Sequence, residues 1–139
     1  MKTMLGLFGT LAFSACVSTS SKNSNSELID KQYAAYNSKD IDRFMSFFAS
    51  SAKICTVPAD ICMEGESQIR AHFSEFFSKF ETLDAKVSKR IIDQDYVLDW
   101  EQLSAVAKNG KAVKLSGISV YRVERGKIAS LTIFLNHKE

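Results

Sequence analysis

The hydrophobic period of this chain changes near Leu83, after which only strands follow, whereas the first half sets helices around a single hairpin. Before that change, Ile69, Phe73, Phe76, Phe77 and Phe80 recur at helical spacing and make one apolar face, which reads as core rather than as a cofactor box. After it, residues 85–92, 96–107, 112–123 and 128–136 alternate as strands. They are separated by Asp93-Gln94-Asp95, Asn109-Gly110 and Arg125-Gly126, and links this short demand an antiparallel meander. Two earlier helices are marked by caps. Ser24 with Glu27 forms a capping box ahead of a face made by Leu28, Ile29, Gln32, Tyr33 and Tyr36, and Asp40 caps a stripe of Ile41, Phe44, Phe47 and Phe48. Residues 52–57 and 61–64 read as a hairpin around Pro58-Ala59, closed by Gly65. The order α, α, β, β, α, β, β, β, β predicts an α+β domain whose three helices cover one side of a curved, mainly antiparallel sheet.

The first residues have a different character. Lys2 precedes about ten largely apolar residues, and Ser14 and Ala15 stand just before Cys16, the pattern of a signal peptide over residues 1–15. The apolar stretch falls short of the roughly 20 residues that a spanning helix needs. Phe13-Ser14-Ala15-Cys16 resembles a lipobox, which implies acylation of Cys16 and, with Val17 beside it, an outer-membrane anchor facing the periplasm. Residues 16–26 then read as a polar, lipidated tether and residues 27–139 as a single domain. Only Lys2 leaves with the leader, so 18 basic residues become 17 against 16 acidic ones, scattered without a run. Nothing in that balance predicts a nucleic-acid partner.

The hairpin carries a further expectation. With Pro58-Ala59 as its turn, Cys55 stands directly opposite Cys62, and an oxidising compartment would let them form a disulfide. A metal pair or a redox pair is the alternative reading, although no second pair of ligands has suitable spacing. No metal and no cofactor are expected.

Three stretches resemble the NTF2-like cone, in particular its SnoaL-like and steroid-isomerase-like bacterial branches. They are Ala35-Tyr36-Asn37-Ser38-Lys39-Asp40-Ile41-Asp42-Arg43-Phe44, Met63-Glu64-Gly65 running into Ile69-Arg70, and Tyr121-Arg122-Val123-Glu124-Arg125-Gly126-Lys127-Ile128. The resemblance implies a cone over about residues 27–136 and a pocket between helices and sheet, but a fold that hosts many activities assigns none of them. It also permits a negative test. Steroid isomerases of this type use an Asp base, a Tyr and a protonated Asp. The corresponding positions fall here on Thr56, Gln32 and Ser119, so ketosteroid isomerisation is not expected. His72 and His137, the only histidines, are expected at the surface.

The remaining acids are Asp99 and Glu101, which share one face of their strand. The opposite set of Tyr96, Leu98, Trp100, Gln102, Ser104 and Val106 is more apolar, so that set is expected to face the pocket and the two acids to face outward. There they would need partners such as Arg90 or Lys114. Two functions follow. The first is a binding module in which Tyr33, Tyr36, Thr56, Trp100, Gln102 and Ser119 surround a small, mostly apolar ligand. The second is a cofactor-free enzyme acting on a cyclic or polyketide-like substrate with Asp99 or Glu101 as proton carrier. Glu101 decides between them, because an inward carboxyl with its pKa raised by burial favours the enzyme. The outer sheet face is a candidate homodimer surface.

Overall fold

The computed structural model describes residues 17–136; the expected signal peptide over residues 1–15, Cys16 and His137 lie outside the described residues. Three helices and six strands follow in the expected order: α1 Val17–Asn37, α2 Ile41–Ser46, β1 Phe48–Val57, β2 Ile61–Glu64, α3 Glu66–Ser78, β3 Phe80–Asp93, β4 Tyr96–Ala107, β5 Ala112–Glu124 and β6 Lys127–Asn136. The strands form one open sheet in the order β2-β1-β6-β5-β4-β3. Every neighbouring pair is antiparallel except β1 with β6.

The first helix starts earlier than expected. Residues 17–26, read as a tether, belong to α1. The apolar face of this helix extends back by one turn from Ile29 to Asn25, which is buried and donates its side-chain amide to the carbonyl of Gln94 at 3.3 Å. Ser26 accepts from Arg90 of β3. These polar residues are satisfied by the sheet rather than by water, which a reading of hydropathy alone cannot anticipate. At its other end α1 is fixed by Asn37, whose side chain donates to the Ala85 carbonyl at 3.0 Å and accepts from the Ala85 amide at 2.8 Å. Asp40 caps α2 by accepting from the Arg43 amide at 3.0 Å.

Of the phenylalanine stripe, Phe73 and Phe77 are buried in the core, whereas Phe76 and Phe80 are half-buried against it and Phe80 is the first residue of β3. Phe44 is fully buried, with ring centroids 4.6 Å from Phe73 and 4.9 Å from Phe48. Two features of the sheet shape the space beside this core. Ser88 is an extra residue in β3, between the pairs Val87↔Glu101 and Lys89↔Trp100, so Arg90 rather than Lys89 turns toward the helices. Gly117 of β5 lies opposite Glu101, and a Cβ there would come within 2.4 Å of the Phe134 carbonyl oxygen. The backbones approach too closely at this bend for any larger residue.

The hairpin register is as expected, with Ile54↔Met63, Cys55↔Cys62 and Thr56↔Ile61, and Cys55 and Cys62 are joined by a disulfide. No described helix is long and apolar enough to cross a membrane.

Candidate functional site

Between the helices and the concave side of the sheet lies a cavity of about 170 Å³. Tyr33 and Tyr36 of α1, Phe73 and Phe76 of α3, and Ile54 and Leu131 from the sheet give it an apolar wall. The floor is different. Glu101, Ser119, Tyr121 and Gln32 bring polar groups together there.

Glu101 is the centre of this cluster. Its two carboxylate oxygens accept from separate donors, the Tyr33 hydroxyl at 2.5 Å and the Ser119 hydroxyl at 2.8 Å. Burial pushes the Glu101 carboxyl above the usual carboxylate range, and the nearby charge of Asp99 adds to that, whereas the bonds from Tyr33 and Ser119 pull the other way without cancelling it. Burial, then the neighbouring Tyr121 and Glu101, raises the Tyr33 phenol far above its ordinary value, so it remains a donor. The buried Tyr121 hydroxyl donates to Gln32 at 3.3 Å, and the Tyr33 and Tyr121 rings meet edge-on at 6.2 Å.

Tyr36 completes the set. Its phenol is raised by burial and by the Glu101 charge, and it lines the cavity. Among the described residues no hydrogen-bond partner meets its hydroxyl, which leaves a protonated donor available to an occupant.

Strand β4 therefore turns the face opposite to the one its apolarity suggested. Val97, Asp99 and Ala105 are buried, and Glu101 and Leu103 line the cavity, while Tyr96, Gln102 and Val106 are exposed. Trp100 and Gln102, expected to bind ligand, thus do not line this cavity. Trp100 lies on the outer face beneath the Lys89 ammonium, 5.1 Å from the ring centroid. Asp99 points inward but does not reach the cavity, because Arg90 holds it. The guanidinium donates to both Asp99 oxygens at 2.7 Å and to Asp30 at 2.7 Å. Burial works against the Arg90 charge, yet these carboxylates outweigh it and hold its pKa above the ordinary value. Arg90 was one of the two partners expected for a buried acid; Lys114, the other, is exposed.

Of the remaining candidates, Tyr33, Tyr36, Thr56 and Ser119 line the cavity. His72 is exposed, as expected, and stands at the rim. Tyr121 and Leu103 were missed. The available signal was Tyr121 itself, two residues from Ser119 on the same side of a strand. Among the described residues, no group of three or more His, Cys, Asp or Glu side chains is gathered closely enough to hold a metal ion.

Comparison with known proteins agrees with this architecture. Residues 29–131 match the family described as the SnoaL-like domain, and the chain belongs to that family. Its fold is the NTF2-like one, with helices packed on a curved sheet. An epoxide hydrolase of M. tuberculosis, described as LEH-like, is similar in fold with a TM-score of 0.74 at 12% identity, over 83% of this chain and 84% of that one. An NTF2-like protein of unknown function from Burkholderia pseudomallei reaches 0.73 at 13% identity, over 81% and 91%. A cystatin-fold protein from Novosphingobium aromaticivorans reaches 0.70 at 23% identity, over 78% and 96%. No curated protein matches the chain in sequence. A domain of this family and fold is consistent with ligand binding or with isomerase- or cyclase-type activity.

Proposed function

We propose that this domain is a cofactor-free acid–base enzyme acting on a small, uncharged, mostly apolar cyclic molecule, with Glu101 as proton carrier and the Tyr36 hydroxyl as donor to a substrate oxygen. The observation that carries this reading is the inward Glu101, a carboxyl at the floor of an apolar cavity with its pKa raised by burial. A carboxylate so placed is a stronger base than one in water, and proton transfer by a positioned group contributes about 10² to 10⁴ in rate. The Tyr36 phenol supplies what the base lacks, a hydrogen bond to the oxygen on which charge develops as the proton leaves. Glu101 is the formal charge of the cavity wall, and no Lys or Arg lines it, so an anionic substrate would meet repulsion.

Size narrows the class further. A cavity of about 170 Å³ compares with one of about 150 Å³ known to hold benzene. A four-ring steroid would protrude from it, and Thr56, Gln32 and Ser119 occupy the steroid-isomerase positions, so no turnover of a Δ5-3-ketosteroid is expected.

The test is deuterium exchange at the carbon next to the carbonyl of small cyclic ketones such as cyclohexanone, followed by NMR in D₂O. Wild type should exceed the buffer rate; Glu101→Gln should lose about 10²- to 10⁴-fold and Tyr36→Phe about 10²- to 10³-fold. Exchange at the buffer rate in wild type would sink the reading. One feature favours a binding module as the second reading: both Glu101 oxygens already accept hydrogen bonds, and no second carboxylate or histidine joins them on the cavity floor.

The same proposal includes the setting. The leader and Cys16 support export and lipid anchoring, and Cys16→Ser should release the protein from the membrane fraction; unchanged fractionation and lipid labelling would refute it. Exposed Ile91, Tyr96 and Phe134 support a homodimer through the outer sheet face, which sedimentation would test.

A further inference from the structure

We propose that Phe76 is the specificity-determining residue of this cavity and limits its occupant to a single ring. The inference rests on the reading of the cavity as the functional site, and it adds the gate that sets its size.

Position supplies the first argument. His72 and Phe76 stand one turn apart on the same side of α3 and both line the cavity. His72 is exposed at the rim, whereas Phe76 is half-buried, so Phe76 lies where the wall passes from core to opening. Phe44 and Phe73 are buried and belong to the core. Enlarging the cavity at either of them would remove structure along with selectivity, but Phe76 can be altered with less loss.

Rigidity supplies the second. The Phe76 ring is surrounded by other rings, with centroids 4.9 Å from Phe80, 6.1 Å from Tyr36, and 6.2 Å from both Phe73 and Phe77. Packing of this kind holds a side chain in one rotamer, so the ring cannot swing aside to admit a larger molecule without breaking several contacts. On the sheet side of the cavity, Gly117 lies where the β5 and β6 backbones crowd, and Leu131 is buried.

Chemistry supplies the probes. Phenol and 2-naphthol present the same hydroxyl to Glu101 and differ by one fused ring. Dissociation constants for both, measured on the full domain by NMR titration and by naphthol fluorescence, read the gate without requiring turnover. Wild type should bind 2-naphthol at least about tenfold more weakly than phenol. Phe76→Ala should raise the affinity for 2-naphthol relative to phenol by about tenfold or more, with Phe76→Leu between it and wild type; each factor of ten corresponds to about 1.4 kcal/mol. Thermal melting of both variants verifies that the domain is folded, and Phe76→Leu carries the test if Phe76→Ala fails to fold. The proposal is overturned if wild type binds the two phenols equally, or if the variants leave their ratio unchanged. Glu101→Gln separates the two readings. It should weaken both phenols alike; if it weakens neither while the Phe76 variants shift their ratio, the gate stands and the role given to Glu101 falls.

Discussion

Replacing Glu101 with Gln should change how stability depends on pH, and the sign follows from the site. Burial raises the folded-state pKa of Glu101 above its ordinary value of 4.5. Between that value and the raised one, the folded protein holds a proton that the unfolded chain has released, so the Glu101 contribution is fully present below about 4.5 and is lost as pH rises through the folded value. Glutamine does not titrate. The stability of wild type minus that of Glu101→Gln should therefore be flat at low pH, fall across the window and become flat again. Its slope cannot exceed the one-proton limit of about 1.4 kcal/mol per pH unit. For a domain of this size that ceiling corresponds to roughly 4–8 °C in Tm per pH unit. The variant also exchanges hydrogen bonds, since Gln can accept from the Tyr33 hydroxyl while its amide must find a different arrangement with Ser119, but that change adds an offset with no pH dependence of its own. Urea unfolding of both proteins at half-unit steps from pH 4 to 8 measures the difference directly. A flat difference would mean that Glu101 has the same affinity for its proton in both states. A difference rising with pH would mean that Tyr33 and Ser119 stabilise the carboxylate by more than burial costs it, and a carboxylate held in that way is a poor base.

Three other perturbations test the frame around the site. Phe44→Ala removes a fully buried ring from the centre of the aromatic cluster and should cost about 3–5 kcal/mol in chemical denaturation, whereas a loss below about 1 kcal/mol would mean that the cluster collapses freely into the gap. Gly117→Ala places a methyl group 2.4 Å from the Phe134 carbonyl oxygen, so it should destabilise by about 1–3 kcal/mol and displace Glu101 across the strand pair, seen as a shifted Glu101 side-chain resonance; unchanged stability would show that the bend is not tight. Reducing the Cys55–Cys62 disulfide opens a loop of about eight residues and should cost roughly 2–3 kcal/mol by the chain-entropy estimate, with peptide mapping of the unreduced protein to verify the pair.

The element order, the hairpin register and the cysteine pair were legible because each depends on local rules: hydrophobic period, turn residues and the geometry of two opposed strands. The face of β4 was not legible, for a reason specific to this site. Counting apolar residues assigns Tyr96, Leu98, Trp100 and Val106 to the core, but the buried face is the one that carries Asp99 and Glu101 between Val97 and Leu103. The rule fails where polar groups are placed inside, and it fails twice in adjacent inward positions of one strand. Asp99 could in principle have been placed from Arg90. Simple alternation along β3 from Ala85 through Val87 turns Lys89 inward and Arg90 away, and only the extra residue at Ser88 reverses this and aims the guanidinium at Asp99. A bulge of one residue in the neighbouring strand is invisible to hydropathy, yet it provides the buried partner that lets one acid of the pair be neutralised. That leaves Glu101 as the acid facing the cavity. The early start of α1 has the same origin, since Asn25 and Ser26 are bound by the Gln94 carbonyl and by Arg90, both distant in sequence. What the sequence concealed is thus a single polar layer of Asn25, Ser26, Arg90 and Asp99 between helix and sheet. Glu101, two residues beyond Asp99 on the same face of β4, is the residue through which that strand reaches the cavity.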